Sequence, residues 1–195
     1  MWKFEKRKTL VKSEWIAHHL DTLTLPSGKQ IDFHALEFPM KVAGILPVRD
    51  DGKILLTLQY RYMANQLSWE IPAGNVPEDE DLLIGAKREL IEETGYDAKS
   101  LELIYEYYPQ IGRSDHYFHV FLAKGLKKIT DEIDTDEVAE VKWFTEKEVL
   151  QMIEDKTIID GFTAMAILMY KLKEDKNKIS NYGFCSKRGS KPYVR

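Results

Sequence analysis

Three glutamates, Glu89, Glu92 and Glu93, stand three and four residues apart in the stretch Lys87-Arg-Glu-Leu-Ile-Glu-Glu-Thr-Gly95. On a helix, where successive residues turn by about 100°, their carboxylates share an arc of roughly 100°. Two of them lie in the last turn, where the negative end of the helix dipole disfavours each by about 0.3–1 kcal/mol. Glu89 and Glu93 are also a repulsive like-charge pair at i,i+4. Stability alone favours Lys or Arg at these positions. A hard divalent cation reverses both penalties, because Mg²⁺ prefers carboxylate oxygens and completes its shell with water and substrate phosphates. The competing reading of three acids by themselves is a solvated acidic face.

The neighbouring residues predict the helix that carries these acids, over about Asp79 to Thr94. Pro77 and the acids at 78 to 81 are start signals, and Gly95 is a natural left-handed stop. Leu83, Ala86 and Leu90 form one apolar stripe, and Ile84 with Ile91 forms another. The helix is therefore expected to be gripped on two sides, with its acids in the gap.

Around it the chain alternates irregularly between strands and helices. Strands are expected at Lys41 to Val48, Lys53 to Tyr60, Leu101 to Tyr108, His116 to Ala123 and Val138 to Phe144, with a turn at Asp50-Asp-Gly52. A second helix starts at Thr145, where Thr145-Glu-Lys-Glu148 has capping-box spacing. A third follows Asp160, with Phe162, Met165, Ala166 and Met169 on one face. This order predicts an α+β, mixed-sheet sandwich. Ahead of it, Leu20 to Leu25 and Gln30 to Ala35 flank Pro26-Ser-Gly-Lys29 as a hairpin. Such a small sheet needs a surface to dock on, and its exposed edge makes a homodimer the expectation. The chain thus divides into residues 1–39 as a β appendage, 40–175 as the main domain and 176–195 as a basic tail.

Composition bounds the rest. The 195 residues, 44% hydrophobic and 31% charged, suit one globular domain with a core that needs no disulfide. Cys185 is the only cysteine, which favours a reducing, cytoplasmic setting. The longest apolar run, Ala164 to Tyr170, falls well short of the ~20 residues that span a bilayer, so no membrane partner is expected. Lys171 to Arg195 holds eight Lys/Arg against two acids, while the whole chain carries −4. Nucleic acid needs a broad basic face, which only this short tail offers, so it is not an expected partner. His116 and His119, three apart on a strand, face opposite sides and make no metal pair. No phosphate-binding Gly-rich loop ending in Gly-Lys, nucleophile elbow or zinc helix is present.

A longer pattern decides between the two readings of the acids. Gly74, Glu80, Arg88-Glu89-Leu90, Glu92-Glu93, Gly95 and the apolar Tyr96 resemble the signature of the Nudix hydrolase family at every defined position. At ordinary residue frequencies, its seven fixed identities recur by chance on the order of once in a hundred million starting points. The resemblance implies a Nudix-like α/β/α sandwich. It also implies hydrolysis of a nucleoside diphosphate linked to another moiety, with Mg²⁺ or Mn²⁺ as cofactor. Carried over by position, Glu89 and Glu93 resemble the principal metal ligands, Glu92 an auxiliary ligand and catalytic acid, and the Ala73 backbone carbonyl a further ligand. Arg88 and Glu80 resemble a structural pair. The general base is implied to come from the loop Asp131 to Glu140; alignment back from Trp143 favours Glu137, with Asp136 and Glu140 as alternatives.

Gln59-Tyr-Arg61, Glu70-Ile-Pro-Ala-Gly74 and Tyr108-Pro109 resemble the ADP-ribose and nucleotide-sugar pyrophosphatase subgroup, and the β appendage resembles one these enzymes exchange across a dimer. The substrate-binding candidates are Arg61, Trp69, Glu70 and Arg113. Arg61 either contacts the diphosphate or pairs with an acid. Trp69, like Tyr60, Tyr62 and Tyr107, either stacks on a base or packs in the core or an interface. The loop Gln110-Ile-Gly-Arg-Ser-Asp-His116 departs from the subgroup's pattern, and its Arg113 and Asp115 bear on sugar preference. Two other classes stay open: a pyrophosphohydrolase acting on capped RNA, dinucleoside polyphosphates or nucleoside triphosphates, and a non-catalytic nucleotide-sugar sensor.

Overall fold

The structure, a computed structural model, describes residues 1–180, with side chains through 176. In chain order its elements are β1 (Lys3–Lys12), β2 (Ala17–Thr24), β3 (Gln30–Glu37), β4 (Lys41–Pro47), β5 (Ile54–Arg61), β6 (Gln66–Glu70), β7 (Ala73–Val76), α1 (Leu82–Thr94), β8 (Tyr96–Tyr107), β9 (Phe118–Lys128), β10 (Val138–Phe144), α2 (Glu146–Glu154) and α3 (Gly161–Ser180). They form three sheets, ordered β1-β2-β3, β10-β5-β6 and β7-β4-β9-β8. The last is mixed: β4 runs parallel to β9, and the other pairs are antiparallel.

Alternation along the central strands builds the layers. Val42 and Leu46 of β4, with Val120 and Leu122 of β9, join Phe162, Ala166 and Ile167 of α3 in one buried cluster. Their neighbours Ala43, Ile45, Phe121 and Ala123 face the other way and join Ala86 and Leu90 of α1 in a second. A sheet with period-two apolar residues on both faces requires a helix on each side, and that is the α/β/α sandwich observed.

Helix α1 differs from its expectation in two respects. It starts at Leu82, because Asp81 caps it by accepting from the N–H groups of Leu83 and Ile84 at 2.9 and 3.2 Å. Residues 77–80 instead make a turn, with the Glu80 N–H on the Pro77 carbonyl. The apolar stripes of α1 are also only partly covered: Ala86 and Leu90 are buried and Ile91 is half-buried, whereas Leu83 and Ile84 are 49% and 64% exposed. Leu83 and Ile84 sit in the first turn, where they face solvent. Gly95 ends the helix with φ 74°, and β8 begins at once at Tyr96.

Sequence reading missed β1, β6 and β7. Every residue of β1 is exposed, so it has no alternation to detect; β6 and β7 are five and four residues long and are separated by Pro72. The hairpin at 20–35 is present, with Gly28 in the left-handed region, and β1 adds a third strand to it. The capping box of α2 is formed reciprocally by Thr145 and Glu148. Helix α3 is continuous through 176 to Ser180; the remainder of the basic tail, with Cys185, lies outside the described residues. Among the described residues no helix is long and apolar enough to cross a membrane.

Candidate active site

The site is built where α1 lies across the ends of β5, β6 and β7. Strand β5 is apolar except at alternate residues Thr57, Gln59 and Arg61, which share one face with Ser68 and Glu70 of β6. The end of α1 covers that polar strip. Glu93 is 2% exposed, and its Oε2 accepts from Gln59 Nε2 at 2.7 Å and from Thr57 Oγ1 at 3.4 Å. Its other oxygen accepts from the Ala73 N–H at 3.1 Å. Burial pushes the Glu93 carboxyl up to about 8; the Ala73 N–H lowers it, while the charges of Glu89 and Glu137 raise it further.

Glu89 lies one turn earlier, over Gly74. A Cβ at residue 74 would stand 2.1 Å from Glu89 Cδ, so only glycine permits this approach. Burial raises the Glu89 pKa, Arg88 opposes the shift, and Glu92 and Glu137 add to it. Arg88 binds Glu80 at 3.0 Å, Glu89 at 2.7 Å, Glu92 at 2.9 Å and the Asn75 carbonyl at 3.2 Å. It braces α1 against the preceding turn and is committed to those four partners.

Arg61 forks onto the buried Glu70 carboxylate, with Nε 2.9 and 3.0 Å from its two oxygens and Nη2 on Oε2. The loop acid Glu137 is exposed, and its charge reaches both Glu89 and Glu93. Its position follows from register: the next residue, Val138, pairs with Gln59. Arg61, Glu70, Ala73, Glu89, Glu92, Glu93 and Glu137 are thus brought together. Two candidates are elsewhere. Trp69, on the face of β6 opposite Glu70, packs edge-on against Phe144 at 4.9 Å. Arg113 lies in the 110–115 turn, where its carbonyl accepts from the Leu36 N–H and its side chain lines a separate groove with Phe33, Tyr108 and Ile111.

A cavity of about 220 Å³ opens beside Arg61, Glu70, Ala73 and Gly74. It shares the wall formed by His116, Phe118, Asp160 and Phe162 with a second cavity of about 430 Å³ that extends to Phe38, Tyr107 and Gln110. His116 stacks flat on Phe38, with centroids 4.0 Å apart, and burial lowers its pKa. Sequence reading assigned no site role to Thr57, Gln59, Phe38, His116 or Asp160. The alternation of Thr57, Gln59 and Arg61 in an otherwise apolar strand was the available signal for the first two.

A NUDIX domain profile matches residues 39–164. The chain belongs to the NUDIX family. Relatives agree with this over most of their length. The chain is 38% identical, over 80% of itself and 85% of the relative, to an ADP-ribose pyrophosphatase of Bacillus subtilis (strain 168). It is 31% identical, over 87% of itself and 92% of the relative, to a methanol dehydrogenase activator of Bacillus methanolicus. In fold it matches a crystal structure of an ADP compounds hydrolase with a TM-score of 0.79 at 16% identity, covering 93% of this chain and 96% of the other.

The Nudix site suits a divalent cation. Glu93 is a buried acid influenced by two further carboxylates, Glu89 and Glu137, and the absence of a side chain at Gly74 lets the Glu89 carboxylate lie against it. Among the described residues no three acidic or histidine groups form a cage of their own.

Proposed function

We propose that this Nudix hydrolase cleaves the diphosphate of ADP-ribose or a related nucleoside diphosphate sugar, giving a nucleoside monophosphate and a sugar phosphate. The observation that carries this reading is the placement of Arg61, Glu70, Ala73 and Gly74 at the wall of the smaller cavity, with buried Glu93 bonded to the Ala73 N–H and a larger aromatic cavity adjoining. A diphosphate fits beside the cation at Arg61, and a flat nucleoside fits between aromatic side chains. The name of the Bacillus subtilis relative supports the ADP-ribose assignment.

A diphosphate resists nucleophiles because its oxygens are negative. Mg²⁺, or Mn²⁺, held by Glu89 and Glu93 with Glu92 in support and the Ala73 carbonyl as a further ligand, would neutralise those oxygens and polarise the phosphorus. The chain's own residues do the rest. Gln59, Thr57 and the Ala73 N–H hold Glu93 in place; Arg88 holds the helix; Arg61, steadied by Glu70, offers its remaining N–H groups to a phosphate oxygen. Glu137 takes the proton from the attacking water. What favours it over Glu140 is that its charge reaches both Glu89 and Glu93, whereas Glu140 pairs with Leu58, on the face opposite Gln59. We assign homodimerisation to the β1-β2-β3 sheet, whose β1 edge is unpaired.

Product analysis tests the reading. With Mg²⁺ and ADP-ribose, AMP and ribose 5-phosphate are expected; release of inorganic pyrophosphate from triphosphates, or binding without turnover, would replace it.

A further inference from the structure

Asp160 stands at the junction of the two cavities and lines both. It precedes α3, and its Oδ2 accepts both the Thr163 N–H and the Thr163 hydroxyl at 2.7 Å. The same hydroxyl accepts the Ile71 N–H at 3.0 Å, so the carboxylate is tied through Thr163 to the link between β6 and β7. No hydrogen bond among the described residues occupies Oδ1. The charge of Asp160 is felt on either side of it. In the smaller cavity it adds to the raising of the Arg61 pKa that the Glu70 hydrogen bond chiefly causes. It also adds to the burial that pushes the Tyr107 hydroxyl up to about 12 in the larger one.

A fixed carboxylate repels phosphate and accepts hydrogen bonds from hydroxyls. If, as proposed above, the diphosphate lies beside Arg61 and the base among the aromatic residues, the group between them at Asp160 is the nucleoside's ribose. Resting on that reading, we infer that Asp160 is a specificity-determining residue: its Oδ1 accepts from the ribose hydroxyls of the nucleoside and excludes nucleotides phosphorylated there. Acidic side chains make the same choice between free and phosphorylated ribose in dinucleotide-binding folds.

The test compares Asp160→Asn with the parent enzyme. Asparagine caps a helix as well as aspartate does, so the variant retains α3; Asp160→Ser, equally able to cap, replaces it if the first fails to fold. Two ratios are measured: kcat/KM for ADP-ribose over its 2′-phosphate, and calorimetric affinity for AMP over adenosine 2′,5′-bisphosphate without metal. Since juxtaposed like charges disfavour a wrong partner strongly, both ratios are expected to be about tenfold or more in the parent and within about threefold in the variant. Thr163→Val, which removes the hydroxyl bond to Asp160 and leaves the backbone N–H bond and the carboxylate, is expected to keep both ratios. Equal affinities in the parent, an unchanged ratio in a folded Asp160 variant, or an equal loss in Thr163→Val overturns the role of Asp160. If no ADP-sugar is hydrolysed, it is the proposed function that fails; hydrolysis with an unchanged ratio overturns the present inference alone.

Discussion

The side-chain amide of Gln59 donates to Glu93 at 2.7 Å, joining residues 34 apart in sequence in one buried contact between β5 and α1. This contact sets the position of a fully buried acid of the site, and a pH dependence of stability follows from that burial.

Burial raises the Glu93 carboxyl to about 8, whereas an unfolded glutamate titrates near 4.3. Between those values the folded chain keeps a proton that the unfolded chain has lost. Its contribution to stability is therefore complete below about pH 4.3 and is lost as pH rises through about 8. In chelator, the wild type is expected to lose a few kcal/mol more than Glu93→Gln between about pH 6 and about pH 9, and divalent ions to restore the difference. Parallel melting profiles for the two proteins would contradict this. Glu93→Gln is also expected to lower turnover by several orders of magnitude in a folded protein.

Gly74→Ala places a methyl group where Glu89 Cδ now sits. The carboxylate swings away with little strain on the backbone, so the melting temperature is expected to hold while turnover falls about 100-fold, the usual effect of an ångström-scale misplacement. Unchanged kinetics would mean that Glu89 does not act from this position.

Arg61→Ala leaves the buried Glu70 carboxylate without its ion-pair partner. The expected cost is about 1–3 kcal/mol of stability, together with a raised KM. Adding Glu70→Gln removes the unpaired charge and is expected to recover much of the stability but none of the KM. Denaturant titration and steady-state kinetics on the single and double variants measure both quantities.

Glu137→Gln changes an exposed loop residue, so stability is expected to stay within about 0.5 kcal/mol and divalent-ion binding to persist. Loss of the general base is expected to slow hydrolysis by about 10²–10⁴-fold. A near-normal rate would move that role to Asp136 or Glu140.

What could be read in the chain beforehand was local. Helix α1, its stop at Gly95 and the capping box at Thr145 follow from residues within a few positions of one another, where backbone geometry depends on side chains nearby. The seam between Thr57, Gln59 and Glu93 was not legible, because it depends on how a strand and a helix from separate segments pack. Nor was the exposure of Leu83 and Ile84: both are apolar, but whether they are covered depends on what the fold brings beside them.

The sequence by itself determined which acids stand together, since their spacing and the glycine beneath them are fixed by one helix and its lead-in. Only the tertiary structure decided their environment: that Glu93 is buried, that Arg61 is braced by Glu70, that Trp69 serves the core and that Asp160 overlooks the cleft. The reason is that burial and charge pairing are properties of the neighbours a residue acquires on folding, and those neighbours come from elements far away in the chain.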